Sequence, residues 1–530
     1  MDSTRLVQIR KDFYQAVRLQ VQSILGREST DLLKYRKVYE SELKGLNYSV
    51  VRKSNFNQSI KKSNLILVGD FHALKQSSRS LLRLLRRSDQ PIILCVECIQ
   101  SKDQLTLNSF IAGEITEKDF LSRIQWKRNW SFPWENYRPL FKWAQVHGAQ
   151  VFGVNGTGRN SSLVARDEFS AKLIKKIREK NPVSQIWIQY GDLHLASKHL
   201  PKNLKKLLPT DKISVIFQSP EIVYFKIMED RLEASTDVVQ LSKNQWALTG
   251  MSPWVKWQDY QLYLESGFDK KIKRVEHDLT DTVALTVNLV SDSLGLKTDL
   301  SALSVYASLD SSFLEQLDRL PRTVRVRILE TIQDGNSTYI PELQVAFLAR
   351  LTVNHVSKVA AQYIYFKQNG YVETLGDPKK DFLKLIWLEM VTYLCSKIAN
   401  PKRKSDTLQD IRAALQKEQF DDRGKQALML ALNQKLSEMR FVSTGKVRSN
   451  APIQTKNLNH KCYMTASQIL GGIMGEKFYY ALHKKHIKLP ADGRIIFKDL
   501  RAKHFTEAYY EALELIESWP TTFRSKFDKL

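Results

Sequence analysis

Leu65-Ile66-Leu67-Val68-Gly69-Asp70-Phe71-His72 is an apolar run that stops abruptly in a glycine, an acid and a histidine. A continuous run of Leu, Ile and Val is what a strand needs when helices cover both of its faces, and Gly69 lets the backbone turn without strain. In an open parallel sheet, ligands sit in the crevice beyond the carboxyl ends of the strands, so polar groups placed directly after such a run converge on one place. Asp70 and His72 are therefore the first candidates for a site.

The same punctuation returns three times. Ile92-Ile93-Leu94-Cys95-Val96 closes on Glu97, and Gln150-Val151-Phe152-Gly153-Val154 opens into Asn155-Gly156-Thr157-Gly158-Arg159. Gln185-Ile186-Trp187-Ile188-Gln189-Tyr190 leads to Gly191-Asp192-Leu193-His194, nearly a repeat of the first corner. Each corner alone has a plainer explanation, because Asp after Gly caps helices and a histidine sits readily on a surface. Four strand ends carrying His, Glu, Asn with Arg, and His point instead to one shared site. A helix beginning at Ser161 or Ser162 brings Arg166-Asp167-Glu168 close to it. Adjacent helical positions lie roughly 100 degrees apart, so at most one of Asp167 and Glu168 faces inward. Ile213–Phe217 and Ile222–Lys226 read as further strands, giving a sheet of about six.

Other segments fit around this frame. Residues 5 to about 45 show helical spacing, and Ser77 or Ser78 is placed to cap a helix carrying Leu81, Leu82, Leu84 and Leu85. Between Trp126 and Tyr137 the aromatic density is high for a connection, with Trp126, Trp130, Phe132 and Trp134 among it. Two accounts stay open for it: a loop packed down by its own rings, or an aromatic wall over the strand ends. From residue 258 on, the periodicity is persistently helical. Ile469-Leu470-Gly471-Gly472-Ile473-Met474-Gly475 has neither the preceding strand nor the lysine of a phosphate loop, and reads as close helix packing.

At 530 residues the chain exceeds what one hydrophobic core usually supports. The expected division is a helical lead-in over 1–60, a mostly parallel α/β domain over 61–257 and a mostly α-helical domain over 258–530. Lysine and arginine number 81 against 56 acidic residues, a formal +25, which favours attraction to polyanions, but no nucleic-acid motif accompanies it. Four cysteines are too few for a disulfide framework. Cys95 and Cys98, three apart on an extended run, point to opposite faces and are expected as core thiols. Met1-Asp2-Ser3-Thr4-Arg5 leads into a mixed polar segment, and no membrane-length apolar run occurs. These features place the chain, as an expectation, in the cytoplasm without an export signal, lipid anchor or membrane segment.

With these residues assembled, the stretch from about 64 to 200 resembles the ChaN-like haem-binding-uptake domain of the wider Tiki, TraB and erythromycin-esterase superfamily. The resemblance is carried by Gly69-Asp70-Phe71-His72 against a Gly-Glu-x-His corner, by Glu97, and by Trp134 with Tyr137-Arg138-Pro139-Leu140 before a helix. Asn155 with Arg159, then Arg166-Asp167, and then Gly191-Asp192-Leu193-His194 complete it. Asp70 stands where the family usually has Glu, one methylene longer. The C-terminal half resembles the tail of longer bacterial members at Ser396 to Lys404, a likeness that brings no known chemistry.

The resemblance implies an α/β fold with its site at the strand ends and two kinds of activity. The first is binding of haem, a divalent metal ion or a small molecule. His72, Glu97 and His194 are suitable ligands there, with Asp70, Trp134, Tyr137, Asn155, Arg159 and Asp192 around the cofactor. The second is hydrolysis, metal-dependent or His/Glu-based, in which His72 or Glu97 acts as general base, Arg166 or Arg159 stabilises negative charge and His194 serves as acid or second ligand, with Asp167 counted in the same catalytic set. A third reading is an interaction scaffold with a degenerate site.

Overall fold

The computed structural model describes residues 3–156, 162–265, 279–309, 311–369, 377–416, 422–446, 458–484, 486–487 and 496–519. It divides into two compact units, Tyr14–Val275 and Met1–Phe13 with Glu276–Lys529. The first unit is α/β. It contains most of α1 (Ser3–Leu25), then α2 (Thr30–Gly45), β1 (Ser49–Val50), α3 (Lys53–Lys61), β2 (Leu65–Asp70), α4 (Lys75–Leu85) and β3 (Ile92–Gln100). Next come α5 (Gln104–Ile111), α6 (Glu117–Arg123), α7 (Trp126–Asn129), α8 (Trp134–His147), β4 (Gln150–Asn155), α9 (Leu163–Lys180) and β5 (Gln185–Gly191). The unit closes with α10 (Leu200–Leu207), β6 (Ile213–Gln218), α11 (Glu221–Glu229), β7 (Val238–Ser242), β8 (Gln245–Leu248) and α12 (Pro253–Glu265). The eight strands form one sheet in the order β1-β7-β8-β6-β2-β5-β3-β4, parallel from β8 to β4 and antiparallel at the β1 and β7 edge.

Helices cover both faces, which is why the central strands read as unbroken apolar runs. Ile66 and Val68 of β2 pack into one core with α3, α4, α5 and α8, while Leu65 and Leu67 pack into the other with α2, α9 and α10. Cys95 belongs to the second core and Cys98 to the first, both free and buried, as the alternation of an extended chain requires. The sheet has eight strands where six were expected, because the short β7–β8 hairpin and β1 extend its edge. Ile222–Lys226 is helical and not a strand: Ser219 has φ +49°, Pro220 sits at the N-cap, and α11 buries Val223, Tyr224, Ile227 and Met228. That burial follows a helical period, which the four contiguous apolar residues 222–225 hide. Ser162 does cap α9, accepting from the Ala165 N–H, but Ser77 and Ser78 lie inside α4 and bond elsewhere.

The second unit is mostly helical, with one departure from expectation. Residues 340 to 366 do not form one helix. Thr338–Ile340 and Val345–Phe347 make an antiparallel pair with Ser304–Tyr306 added in parallel, and helix begins at Val353. Pro341 follows directly on the first of these strands, and Gln344, at φ +56°, completes the turn between them. The glycine-rich patch lies on the helix His460–His483 against Phe382–Ala399. A Cβ at Gly471 would come within 2.7 Å of the Glu389 backbone, and one at Gly475 within 2.7 Å of the Met390 carbonyl oxygen. These glycines therefore permit backbone-to-backbone approach of two helices.

Gly475→Ala is expected to destabilise the chain by about 1–3 kcal/mol through overpacking. Gly45→Ala, with nothing within 4 Å of the added atom, should be neutral or slightly stabilising. Urea unfolding of the two variants beside the parent checks the contrast.

Candidate functional site

β2 ends at Asp70, and the next two residues set the corner. Asp70 Oδ2 accepts from the Tyr137 hydroxyl at 2.9 Å and stands 2.8 Å from His72 Nδ1. The Asn136 side chain donates to the carbonyls of His72 and Ala73, so α8 holds the turn from behind. The imidazole packs edge-on against Trp130, with ring centroids 4.6 Å apart, and is tilted against Phe132. Burial would depress the pKa of His72, but the charges of Asp70 and Glu97 outweigh it and raise it above the ordinary value.

Glu97 lies inside β3, which runs on to Gln100 across an irregularity in its pairing with β4. Its Oε2 accepts the Gly191 N–H at 2.7 Å and lies 3.8 Å from His72 Nε2, while Oε1 takes the Arg166 guanidinium. Burial alone would raise its pKa. The positive fields of His72, Arg166 and His194, with the Gly191 N–H, hold it below the usual glutamate value instead. Glu97 is thus a buried, ionised and well-partnered carboxylate. A Cβ at Gly191 would stand 3.3 Å from His72 Nε2 and 3.4 Å from Glu97 Oε2, so glycine leaves both side chains their room here.

The second Gly-Asp-x-His corner does not copy the first. His194 Nδ1 pairs with Asp167 Oδ1 at 2.5 Å, and Asp167 Oδ2 accepts from the Tyr35 hydroxyl at 3.0 Å. The acid behind this imidazole therefore comes from α9 and not from its own corner. Asp167 is buried and Glu168 exposed, so one of the two neighbours faces inward. Asp192, released from that duty, lies over β2: its Oδ1 occupies the space of a Gly69 Cβ, 1.9 Å from where that atom would stand. Its nearest counter-charge is Lys256 Nζ at 3.7 Å. Burial, only partly offset by Lys256, pushes the Asp192 carboxyl up to about 6.

These strand ends open into a cavity of about 720 Å³. Asp70, His72, Glu97, Arg166, Asp192 and His194 all line it, and Asn155 joins them from the end of β4. Phe71 and Leu193 contribute to its wall and do not plug it. Asp167 and Tyr137 stand behind that lining as hydrogen-bond partners of His194 and Asp70. Trp134 lies away from it, packed among Phe120, Trp126 and Phe141 in the core. Of the aromatic segment, then, Trp126 and Trp134 are core, while Trp130 and Phe132 reach the cavity. Arg159 falls outside the described residues.

Sequence reasoning missed the opposite wall. Arg18 of α1 and Arg36 and Tyr39 of α2 line the cavity, as do Glu221 of α11 and Lys256, Trp257 and Tyr260 of α12. Arg18 lies 4.1 Å from the Trp257 ring, and Glu221 binds Arg18 together with Trp257 Nε1 and the Tyr14 hydroxyl. The one available signal was Trp254, Trp257, Tyr260 and Tyr263 recurring at helical spacing beside Lys256. Among the described residues no group of three or more His, Cys, Asp and Glu side chains is set to hold a metal ion, His72, Glu97 and His194 included. Glu97 is committed to Arg166 and the Gly191 N–H, and the two imidazoles are committed through Nδ1 to Asp70 and Asp167. No described helix is long and apolar enough to cross a membrane.

Residues 56–189 match the family model described as haem-binding uptake, Tiki superfamily, ChaN. Among solved structures, one described as cofacial haem binding to ChaN of Campylobacter jejuni aligns at 13% identity over 33% of this chain and 89% of that one, with a TM-score of 0.25. Comparison with curated proteins gives no match.

The raised Asp192 pKa makes a signed prediction. The protonated form is favoured on folding, so this group's contribution to stability is complete below about 3.8 and is lost as pH rises through about 6. The loss amounts to about 3 kcal/mol at neutral pH. Asp192→Asn removes it, so the Tm difference between variant and parent should become more positive from pH 5 to pH 8 in thermal melts. A difference that is flat with pH, or falls, contradicts this account.

Proposed function

We propose that the α/β unit binds haem as cargo in the cavity beyond β2, β3 and β5, with His72 as the axial base. One observation carries the reading: an imidazole oriented by a carboxylate faces a cavity of about 720 Å³ whose wall includes Trp130, Phe132, Trp257 and Tyr260. A carboxylate on Nδ1 fixes the ring and leaves Nε2 as the ligating atom. The volume lies in the range of about 300–1,000 Å³ usual for small-ligand sites, and aromatic faces suit a flat macrocycle.

Arg18, Arg27 and Arg36 on the α1 and α2 side of the cavity supply the guanidinium groups that propionates prefer. The donor set fits haem better than a bare divalent ion, because haem iron already has four ring nitrogens and asks the protein for one or two axial groups. When bound, haem would supply iron ligation and redox chemistry. The chain's own residues would orient, enclose and desolvate it. The family description matched by residues 56–189 supports the same ligand.

A second reading, hydrolysis, is favoured by a specific arrangement. Two carboxylate-backed imidazoles, His72 and His194, flank the ionised Glu97 with Arg166 beside it. Such a set suits water activation and stabilisation of an anion.

Titration of the purified chain with haem should produce a shifted Soret band. His72→Ala should abolish or displace that band, and Asp70→Asn should weaken binding by about 10–100-fold through loss of imidazole orientation. An unchanged spectrum of free haem, or identical spectra in the parent and His72→Ala, refutes the binding reading. For hydrolysis, a panel of ester and amide substrates should show turnover that falls at least a hundredfold in Glu97→Gln while circular dichroism stays native. Turnover retained in Glu97→Gln removes that alternative.

A further inference from the structure

We infer that the floor of the cavity contains a subsite for a compact organic cation, an alkylammonium or guanidinium group, received by Asp192 and the uncommitted oxygen of Asp70. The inference rests on the reading that this cavity takes a ligand, but not on that ligand being haem.

Three buried acceptor atoms lack a donor. Asp192 is only 7% exposed and lines the cavity, yet neither of its carboxylate oxygens accepts a hydrogen bond. Asp70 is 4% exposed. Its Oδ2 is taken by Tyr137 and His72, and its Oδ1 accepts none. Asp70 ends β2 in register with Gly191 of the adjacent β5, and Asp192 follows Gly191 directly. A buried acceptor left unmet is costly, more so when it is charged, so such atoms are retained where something else meets them.

The neighbouring groups define the missing partner. Lys256 Nζ comes within 3.7 Å of Asp192 and 3.8 Å of Glu221, divided between two carboxylates and hydrogen-bonded to neither. It also rests over the Phe71 ring at 4.5 Å, with Trp257 edge-on to the same ring. An ammonium group of the chain itself is therefore drawn to this floor by carboxylate and aromatic faces together, and it leaves the acceptors unsaturated. An incoming anion would add to two carboxylates, and a hydroxyl brings one donor to three acceptors. A cation bearing several N–H groups answers both the charge and the acceptor count. A metal ion is a poorer answer, because no third ligand of suitable type converges there among the described residues.

The test uses the full chain and small probes. Isothermal titration with n-butylammonium and n-butylguanidinium chlorides, at constant ionic strength, should give saturable binding at least tenfold tighter than n-butanol or n-butyrate. Asp192→Asn should weaken cation binding at least tenfold, and Lys256→Gln should tighten it several-fold by removing the competing ammonium group. Equal binding of the alcohol, or parental affinity in Asp192→Asn, overturns the inference. Should Asp192→Asn fail to fold, Lys256→Gln decides: unchanged or weaker affinity overturns it. The Soret titration reads the haem proposal independently, so either can fail while the other stands.

Discussion

Asp70 of β2 and Gly191 of β5 stand side by side at the ends of two parallel strands, and the two polar corners of the site start from that adjacency. Parallel register brings the two Gly-Asp-x-His corners together. The absence of a Cβ at Gly69 and Gly191 then lets the corners interlock: Asp192 lies over Gly69, and His72 and Glu97 close on Gly191. An alanine at Gly69 would force the Asp192 carboxylate away, whereas one at Gly191 would crowd His72 and Glu97 by only a few tenths of an ångström. The apolar runs behind these corners, covered on both faces, make the strand ends rigid enough to hold imidazole and carboxylate in fixed relation.

The buried acids of the site divide by how far each is answered. Glu97 has a guanidinium, a backbone N–H and a nearby imidazole, and its pKa falls despite burial. Asp167 is met on both oxygens, by Tyr35 and His194. These two hold the architecture of the site, fixing Arg166 and His194. Asp70 is answered on one oxygen only, and Asp192 on neither by a hydrogen bond. Both face the cavity. Where the fold withholds a partner, the ligand is the natural source of it, and the partner each side chain lacks describes what the ligand carries.

Much of the sheet was legible in local pattern, as were the polar corners that follow β2, β4 and β5. Leu65–Val68 is an unbroken apolar run, and Ile186–Ile188 is apolar between Gln185 and Gln189; both read as two-sided strands once Gly69 and Gly191 interrupt them. Other elements misled for identifiable reasons. Ile222–Phe225 is apolar throughout, and only the turn at Ser219 and Pro220, with burial at a helical period, makes it part of a helix. Trp134 looked like a wall residue because aromatic density marks ligand sites and cores alike. Its neighbours Phe120 and Phe141 settled which.

What the amino-acid order determined alone was the alternation of buried strand and polar corner, because hydrophobic period and glycine placement act within a few residues of one another. Which carboxylate backs which imidazole was decided by tertiary structure. The repeated motif reads identically at Asp70 and Asp192, yet His72 takes the acid two residues before it and His194 takes Asp167 from another helix. The walls from α1, α2 and α12 were likewise set by the fold. The physical reason is the same in each case: a hydrogen bond or an ion pair depends on side chains meeting within about 3 Å, and residues on different elements meet only through the register of the sheet and the angle at which helices cross it.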